Sequence, residues 1–591
     1  MFPKLSAAKA ILTICGLAAF AIDLTHAAGQ LGVNINLAEQ GGTFVDMVKE
    51  NYRWSTPTGT DLTSAQVDSN GWPKVDAQFL MDYRPAAEWA GRIDDPEVYR
   101  LDLSGTYKCA FTGKAAVSAT SGGTVQNAVY DSAGNITTFD FKVTGTSGAN
   151  YGFLQLGFTN TRRTAQSATG GGITGFRMYR PGYPLNTSKT FTDAFLSALR
   201  GVNFSAIRFM DFLASNDREP VYPAVLEWAQ RKTRQDASQA PLPVLGRNEG
   251  GAWEYVVQIA NESKRDAWIN IPVSATADYV QKLAALLKDS LDPSLNIYVE
   301  SGNEVWNSGF IQQAYNLAQA QAKGIDEQNN HARRTVELAQ IFQGVFGADA
   351  LNHRVRVVLC SHAPMLKWWV EPMLQYVQKT FGTPANYLYA IACQGYFDLP
   401  ATAGQSVSAI LAAAKTSITG QIDETGGVNE AGRMQWIAKA KAWNLPGGFL
   451  IYEGGPSEAI GDTTNVAHRI MAERDSGMGE LMKYNYGAAF LDLGGTLAMQ
   501  FTLSSGYTRY GCWGLTDDIN NPNRNFKYRA LQSLVGSSIG VKGRKKPAQF
   551  RPEWIWPFLG PDGRDLLGKQ RQKILSPPGS TSSLDVRPGG Q

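Results

Sequence analysis

Glu304 and Glu453 stand in matching local settings 149 residues apart. Ile297, Tyr298 and Val299 lead into Gly302, Asn303 and Glu304; Phe449, Leu450, Ile451 and Tyr452 lead into Glu453, Gly454 and Gly455. A short apolar run that stops at glycine reads as a buried strand. Carboxylates at the ends of two such strands can divide a displacement between them. One protonates a leaving oxygen, and the other attacks carbon. Arg208 ends a third run, Ala206-Ile207-Arg208-Phe209, where a guanidinium would favour ionisation of a neighbouring carboxylate; Asp211 is its local alternative partner. Glu300 lies four residues before Glu304, so a continuing strand puts both on one face with Glu300 deeper. It is the reserve candidate. Asp211 and Glu249 are placed to contact substrate from loops.

The elements that must position these residues recur with a regular order. From about residue 190, strand-like runs alternate with helical ones: Phe204 to Phe209, Ala267 to Val273, Asn296 to Glu300, Arg354 to Cys360, Tyr387 to Cys393, Gly448 to Glu453, and Leu497 to Leu503 with the ribbon through Trp513. Leu31 to Asn36 adds a first strand, unless it belongs to the next domain. Eight strands with helical crossovers predict an α/β fold, a (β/α)8 TIM barrel whose chemistry lies at the carboxyl ends of its strands. A doubly wound open sheet is the competitor, but no glycine-rich nucleotide fingerprint accompanies it.

The remaining segments have other compositions. Residues 1–27 read as a signal peptide, with Lys4 and Lys9 before the apolar run Ala10 to Ile22 and small residues near Ala28. The mature chain is then expected to be secreted or periplasmic, without stable membrane insertion. Residues 28–50 carry the first barrel strand and a short helix. Residues 51–185 are rich in Gly, Ser and Thr, with short runs at Val98 to Leu103, Ala115 to Ala119, Thr124 to Tyr130, Ile136 to Val143 and Tyr151 to Phe158; these predict a β-sandwich. Residues 186–540 form the barrel. Residues 541–591 form a basic tail rich in Pro and Gly, with little expected fixed structure after Phe558 and with Trp554 and Trp556 placed to dock on the body.

Hydrophobic residues at 43% and charged residues at 18% are those of a soluble globular chain. Of the net charge of +3, the tail from Lys542 holds ten Lys and Arg against four Asp and Glu, leaving a weakly acidic body. That distribution argues against a nucleic-acid partner. Outside the leader, Cys109, Cys360, Cys393 and Cys512 are too few for a disulfide scaffold; Cys360 and Cys393 either pair across neighbouring strands or are small buried residues. No CxxC or HExxH spacing points to a metal, and no G-x-S-x-G elbow points to an esterase.

Retaining glycosidases place two carboxylates about 5–5.5 Å apart, a requirement that Glu304 and Glu453 at two barrel strand ends would meet. Here the chain resembles clan A of the glycoside hydrolases, barrel enzymes with catalytic glutamates on strands four and seven. The resemblance implies that Asn303-Glu304 is the acid/base motif, with Asn303 on the sugar 2-hydroxyl, and that Glu453 is the nucleophile. It implies that Arg208 keeps the nucleophile ionised, Tyr396 donates to it and Trp513 floors the central subsite. Many clan members have His two residues before that tyrosine, where this chain has Gln394; His362, past strand five, would fill a similar place. Trp306 is the one further tryptophan expected near the cleft, with Trp253, Trp268, Trp368, Trp369 and Trp436 expected in the core. Leu31 to Asn36, Arg208 to Asp211 and Val299 to Asn307 also resemble a poorly characterised secreted bacterial group sometimes labelled cellulose-binding. The expected activity is hydrolysis of a β-linked polysaccharide or oligosaccharide without metal or organic cofactor. The alternative is a non-catalytic glycan-binding or exopolysaccharide-associated protein on the same scaffold.

Overall fold

The computed structural model describes residues 30–536 except 39–41, 51–53, 83–101, 122, 145–152, 217–224, 242–248, 459–461, 463, 509 and 510. The leader and the basic tail lie outside the described residues, as does most of the expected strand Val98 to Leu103.

The strands in chain order are β1 (Gln30–Asn34), β2 (Trp54–Ser55), β3 (Ala77–Asp82), β4 (Gly105–Thr112), β5 (Lys114–Ser121), β6 (Thr124–Asp131), β7 (Ile136–Val143), β8 (Phe153–Arg162), β9 (Thr174–Tyr179), β10 (Ala206–Arg208), β11 (Asp266–Ile271), β12 (Ile297–Ser301), β13 (Val355–Cys360), β14 (Ala390–Leu399), β15 (Gly448–Glu458) and β16 (Leu497–Gln500). Strand β1 and strands β10 to β16 close into one eight-stranded parallel barrel. β1 pairs in parallel with both β10 and β16, so the N-terminal run is a barrel stave. Parallel strands covered on both faces need apolar residues in both registers, which explains their unbroken apolar runs. Outward residues such as Ile269, Val299 and Ile451 pack with the helices, while Ala206, Trp268, Tyr298, Val358, Tyr452 and Met499 fill the interior.

Each crossover helix has a local cause. Thr276 caps the helix Ala277–Ser290 by accepting from the Tyr279 amide, and Tyr279, Val280, Leu283, Ala284 and Leu287 form its buried stripe. The helical stretch expected over 310–346 is two helices, Ile311–Lys323 and Glu327–Phe346, broken where Gly324 takes φ +63°.

Between the first two barrel staves lie two four-stranded antiparallel sheets, ordered β2-β3-β8-β5 and β6-β7-β4-β9. Their facing residues, among them Trp54, Phe79, Phe111, Phe139, Phe158 and Phe176, share one core. Strands β2, β3, β4 and β9 escaped the sequence reading.

Cys360 and Cys393 remain free thiols. In the β13–β14 ladder Cys360 is level with Ala392, so Cys393 is one residue out of step and points to the opposite wall face. Cys360 lies in the inner cluster and Cys393 in the outer one.

Candidate active site

β12 ends at Ser301, and the chain then turns sharply. Gly302 has φ +66°, and a Cβ there would come within 2.6 Å of Val273 Cγ1 and 2.7 Å of Gln312 Oε1. Glu304 follows with φ +45°. A left-handed backbone at a residue with a Cβ costs about 1–3 kcal/mol and persists only when its surroundings hold it. Here Asn307 Nδ2 donates to Glu304 Oε2 at 2.9 Å, and the Tyr452 hydroxyl donates to Oε1 at 3.0 Å. Glu304 is thus aimed by a loop beyond the strand.

Glu453 is aimed by a bulge. The β14–β15 ladder pairs Cys393 with Ile451 but Gly395 with Gly454, leaving one extra residue on β15. Regular alternation would turn Tyr452 inward and Glu453 outward; the inserted residue lets both face the interior. Gly454 permits this approach, since a Cβ there would meet Gly395 O at 2.8 Å.

Arg208, at the end of β10, lies beneath both carboxylates and is fully buried. A guanidinium has five N–H donors, and all five are engaged. Nε donates to Glu300 Oε2 at 2.9 Å, and Nη2 donates to Glu300 Oε1 at 3.0 Å and to Asn303 Oδ1 at 2.6 Å. Nη1 donates to Glu453 Oε2 at 2.9 Å and to Asn34 Oδ1 at 3.1 Å. Trp268 Nε1 donates to Glu300 Oε2 at 2.7 Å, and the guanidinium lies 5.9 Å and 5.0 Å from the Trp268 and Tyr452 ring centroids. Asn34 Nδ2 reaches the carbonyls of Tyr452 and Gln500. The network therefore ties six staves together under the site.

Burial would weaken the charge on Arg208, but Glu300 and Glu453 more than offset it and raise its pKa. Burial also raises Glu304, against hydrogen bonds from Asn307 and Tyr452. Glu453 is raised well above the ordinary carboxylate range, first by burial and then by the charge of Glu304, with Arg208 opposing. The charge of Glu304 acts on Glu453 in the raising direction, so the two titrate as a pair. Of the two, Glu453 is the one hydrogen-bonded to Arg208, which favours its ionised form.

Several expected residues join this centre, and others do not. Tyr396 is half-buried, with its phenol pushed well up by burial and by the charges of Glu453, Glu304 and Asp211; Asp211 also raises Glu453. Those four groups therefore share one electrostatic neighbourhood. Asn303 differs from expectation: it is 1% exposed, its Oδ1 accepts from Arg208, and its Nδ2 donates to Asn216 at 3.0 Å. It is a strut under Arg208. Arg208 pairs with Glu300 in addition to Glu453, whereas the sequence offered Asp211 as its local alternative partner.

Trp513 is not on the eighth stave. That strand ends at Gln500, and Trp513 returns thirteen residues later, its carbonyl accepting from Gln500 Nε2. Its ring packs on Phe501 at 5.9 Å, and Phe501 packs on Tyr396 at 6.3 Å. Trp306 stacks on His362 with centroids 4.2 Å apart. Burial lowers His362 to about 4, which keeps it neutral. The place beside the carboxylates belongs to Gln394, whose Oε1 lies 3.3 Å from the Tyr452 hydroxyl. Glu249 lines a small recess with Lys232 and Trp253. Trp253, Trp268 and Trp436 are buried as expected, but Trp368 is 63% exposed on a π-helical turn, Leu366–Val370. A cavity of about 640 Å³ lies elsewhere, lined by Asp46, Trp72, Arg177, Tyr179 and Tyr255.

Tyr452, Asn34 and Trp268 were missed as site residues. Tyr452 had one available signal, its adjacency to Glu453, but alternation points neighbours to opposite faces, and only the bulge reverses that.

No protein-family model matches the chain, and no curated protein matches it. Among solved structures, fungal β-1,4-galactanase is 10% identical with a TM-score of 0.30, covering 58% of this chain and 92% of its own. A thermostable mutant xylanase from Cellvibrio japonicus is 9% identical with a TM-score of 0.33, covering 58% and 93%. A second C. japonicus xylanase, in complex with xylopentaose, is 11% identical with a TM-score of 0.30, covering 84% and 99%. The barrel assignment stands on this chain's own strand pairing. The cellulose-binding label finds no support among these chains.

Proposed function

We propose that this protein is a retaining glycoside hydrolase that cleaves a β-linked polysaccharide or oligosaccharide by double displacement, with Glu453 as nucleophile and Glu304 as acid/base. One observation carries the reading: two carboxyls from separate staves share one buried neighbourhood, Tyr452 bonding Glu304 and standing next to Glu453 in β15, and only Glu453 is bonded to the buried Arg208. Inverting enzymes hold their carboxyls about 6.5–9.5 Å apart to admit a water, and retaining enzymes about 5–5.5 Å; a pair whose charges act on one another beside one tyrosine suits the closer, retaining arrangement. Glu453, hydrogen-bonded to Arg208, attacks the anomeric carbon, and protonated Glu304 gives its proton to the departing oxygen. The freed Glu304 carboxylate then takes a proton from water as that water displaces Glu453 from the sugar. Asn307 and Tyr452 donate to Glu304 and favour its ionised form, the state in which it takes the proton from water. Trp306, two residues past Glu304 and stacked on His362, offers a ring for the leaving sugar, and Trp513, Phe501 and Tyr396 form a second aromatic group.

In this reading residues 28–50 and 186–540 build the catalytic barrel, and 51–185 form a supporting β-sandwich domain inserted after the first stave. Residues 1–27 direct export, and 541–591 form the basic tail.

The test is a panel of β-linked polysaccharides and aryl β-glycosides, with product anomers followed by NMR. Initial retention, and a 2-deoxy-2-fluoro glycoside that labels Glu453, are the expected results. Initial inversion, or a label on another residue, overturns the mechanism. Binding to a glycan without turnover supports the non-catalytic alternative.

A further inference from the structure

Arg208 does not serve Glu453 alone. Of its five donors, two grip Glu300, one reaches Glu453, and two hold Asn34 and Asn303. Glu300 takes the bidentate face, which is the stronger and more directional pairing. It is 1% exposed, and Trp268 Nε1 fixes its Oε2 at 2.7 Å. Glu453 receives a single edge-on bond. One buried cation is thus divided between two buried carboxylates, unequally.

We propose that Glu300 is a positioning residue of this site: its bidentate grip holds Arg208 beneath Glu453 while consuming most of the guanidinium's charge, so that Glu453 keeps the basicity of a partly paired carboxylate. The inference rests on the assignment of Glu453 and Glu304 as the catalytic pair. Its logic is a balance. A carboxylate fully neutralised by arginine is a stable anion and a poor nucleophile. One buried without any cation stays protonated and cannot attack. Sharing Arg208 with Glu300 sets Glu453 between those limits. The charged and titratable groups facing Glu453 are Arg208 from β10, Asp211 beyond it, Glu300 and Glu304 from β12 and its loop, Tyr396 from β14 and Tyr452 from β15. Among them Glu300 is the acid bonded to the same guanidinium, and its negative charge acts on Glu453 in the raising direction.

The experiment compares pH profiles of kcat/KM for the wild-type protein, Glu300→Gln and Glu300→Asp on one turned-over aryl glycoside. Glu300→Gln removes a negative charge and frees Arg208 for Glu453, so the acid limb moves to lower pH by about one unit. At the same time kcat falls about tenfold or more with KM little changed. Glu300→Asp keeps the charge but shortens the reach, so its acid limb stays near that of the wild type while kcat falls. An acid limb unmoved in Glu300→Gln, or moved upward, overturns the proposal, as does a Glu300→Asp variant with wild-type kcat. If Glu300→Gln does not fold, the kcat of Glu300→Asp decides alone. Full activity of Glu453→Ala would instead remove the underlying assignment, whatever Glu300 does.

Discussion

Between the two antiparallel sheets, Phe158 meets Phe176 at 5.0 Å and Phe79 meets Phe176 at 5.2 Å, edge to face. Inside the barrel, Trp268 stacks on Tyr298 at 5.3 Å, and Trp268 and Tyr452 flank Arg208 and its two carboxylates. Both regions are aromatic, buried and well packed. In the sheets the rings serve one another through their quadrupoles. In the barrel the polar edges of the rings matter more: the Trp268 indole N–H holds Glu300, and the Tyr452 phenol holds Glu304. Aromatic content alone therefore separates neither a core from a site nor a scaffold from a binding surface. What separates them is whether ring donors are aimed at charge.

The sharpest way to break this contrast is to remove the charges. Glu453→Ala reduces turnover to background. Glu304→Ala lowers it about 10²–10⁴-fold on poor leaving groups, with the first step spared on activated aryl glycosides. Steady-state and single-turnover rates on the two substrate types check both. Next come matched losses of stability with unmatched losses of activity. Arg208→Leu leaves Glu300 buried without its cation and costs about 3–5 kcal/mol. Phe158→Ala empties part of the sheet core and costs about 3–5 kcal/mol as well. Denaturant midpoints are expected to fall alike, but only Arg208→Leu abolishes activity under conditions where the variants remain folded. A changed pH profile in Phe158→Ala would dissolve the distinction.

Acid stability sharpens the contrast further. His331 is buried, with Nε2 3.3 Å from the Cys360 carbonyl oxygen, and burial lowers it to about 4 from an ordinary value of 6.5. The unfolded chain binds this proton more readily than the folded one. The stability contribution is therefore intact above about pH 6.5 and drains away as pH falls toward 4. His331→Gln is expected to flatten the pH dependence of the denaturation midpoint across that window. The smallest effect belongs to Tyr452→Phe. Its lost hydroxyl stabilised the Glu304 anion, so the Glu304 pKa rises and the basic limb of kcat/KM moves up by about one unit at most, the worth of one hydrogen bond of about 1 kcal/mol. Movement in the other direction would mean that the hydroxyl favours the protonated acid.

The eight staves were legible because parallel strands buried on both faces must be apolar throughout, and alternation with helices left little other topology. Glu304, Glu453 and Arg208 were legible for a related reason: a charged residue at or just past the end of such a run lies toward the carboxyl end of a stave. The strands of the sheets were read less completely. Gly105–Thr112 places Tyr107, Cys109 and Phe111 in the sheet core, but Ala110 between them is buried too, which blurs the period of two. The pairing of Cys360 with Cys393 failed on a one-residue offset that no spacing along the chain reveals. Trp368, expected inside, is mostly solvent-exposed because a π-helical turn rotates it outward.

By itself the sequence determined the alternation of strands and helices, the carboxyl-end location of the acids, and the presence of one arginine at the end of a neighbouring run. Those follow from local hydrophobic pattern, which each segment carries alone. Only the tertiary structure decided that Glu300 shares Arg208 with Glu453, that Asn303 is a strut, and that Tyr452 faces the same way as its neighbour. Each of these depends on register between segments far apart in the chain, where a single extra residue in one ladder reverses which side chain looks inward.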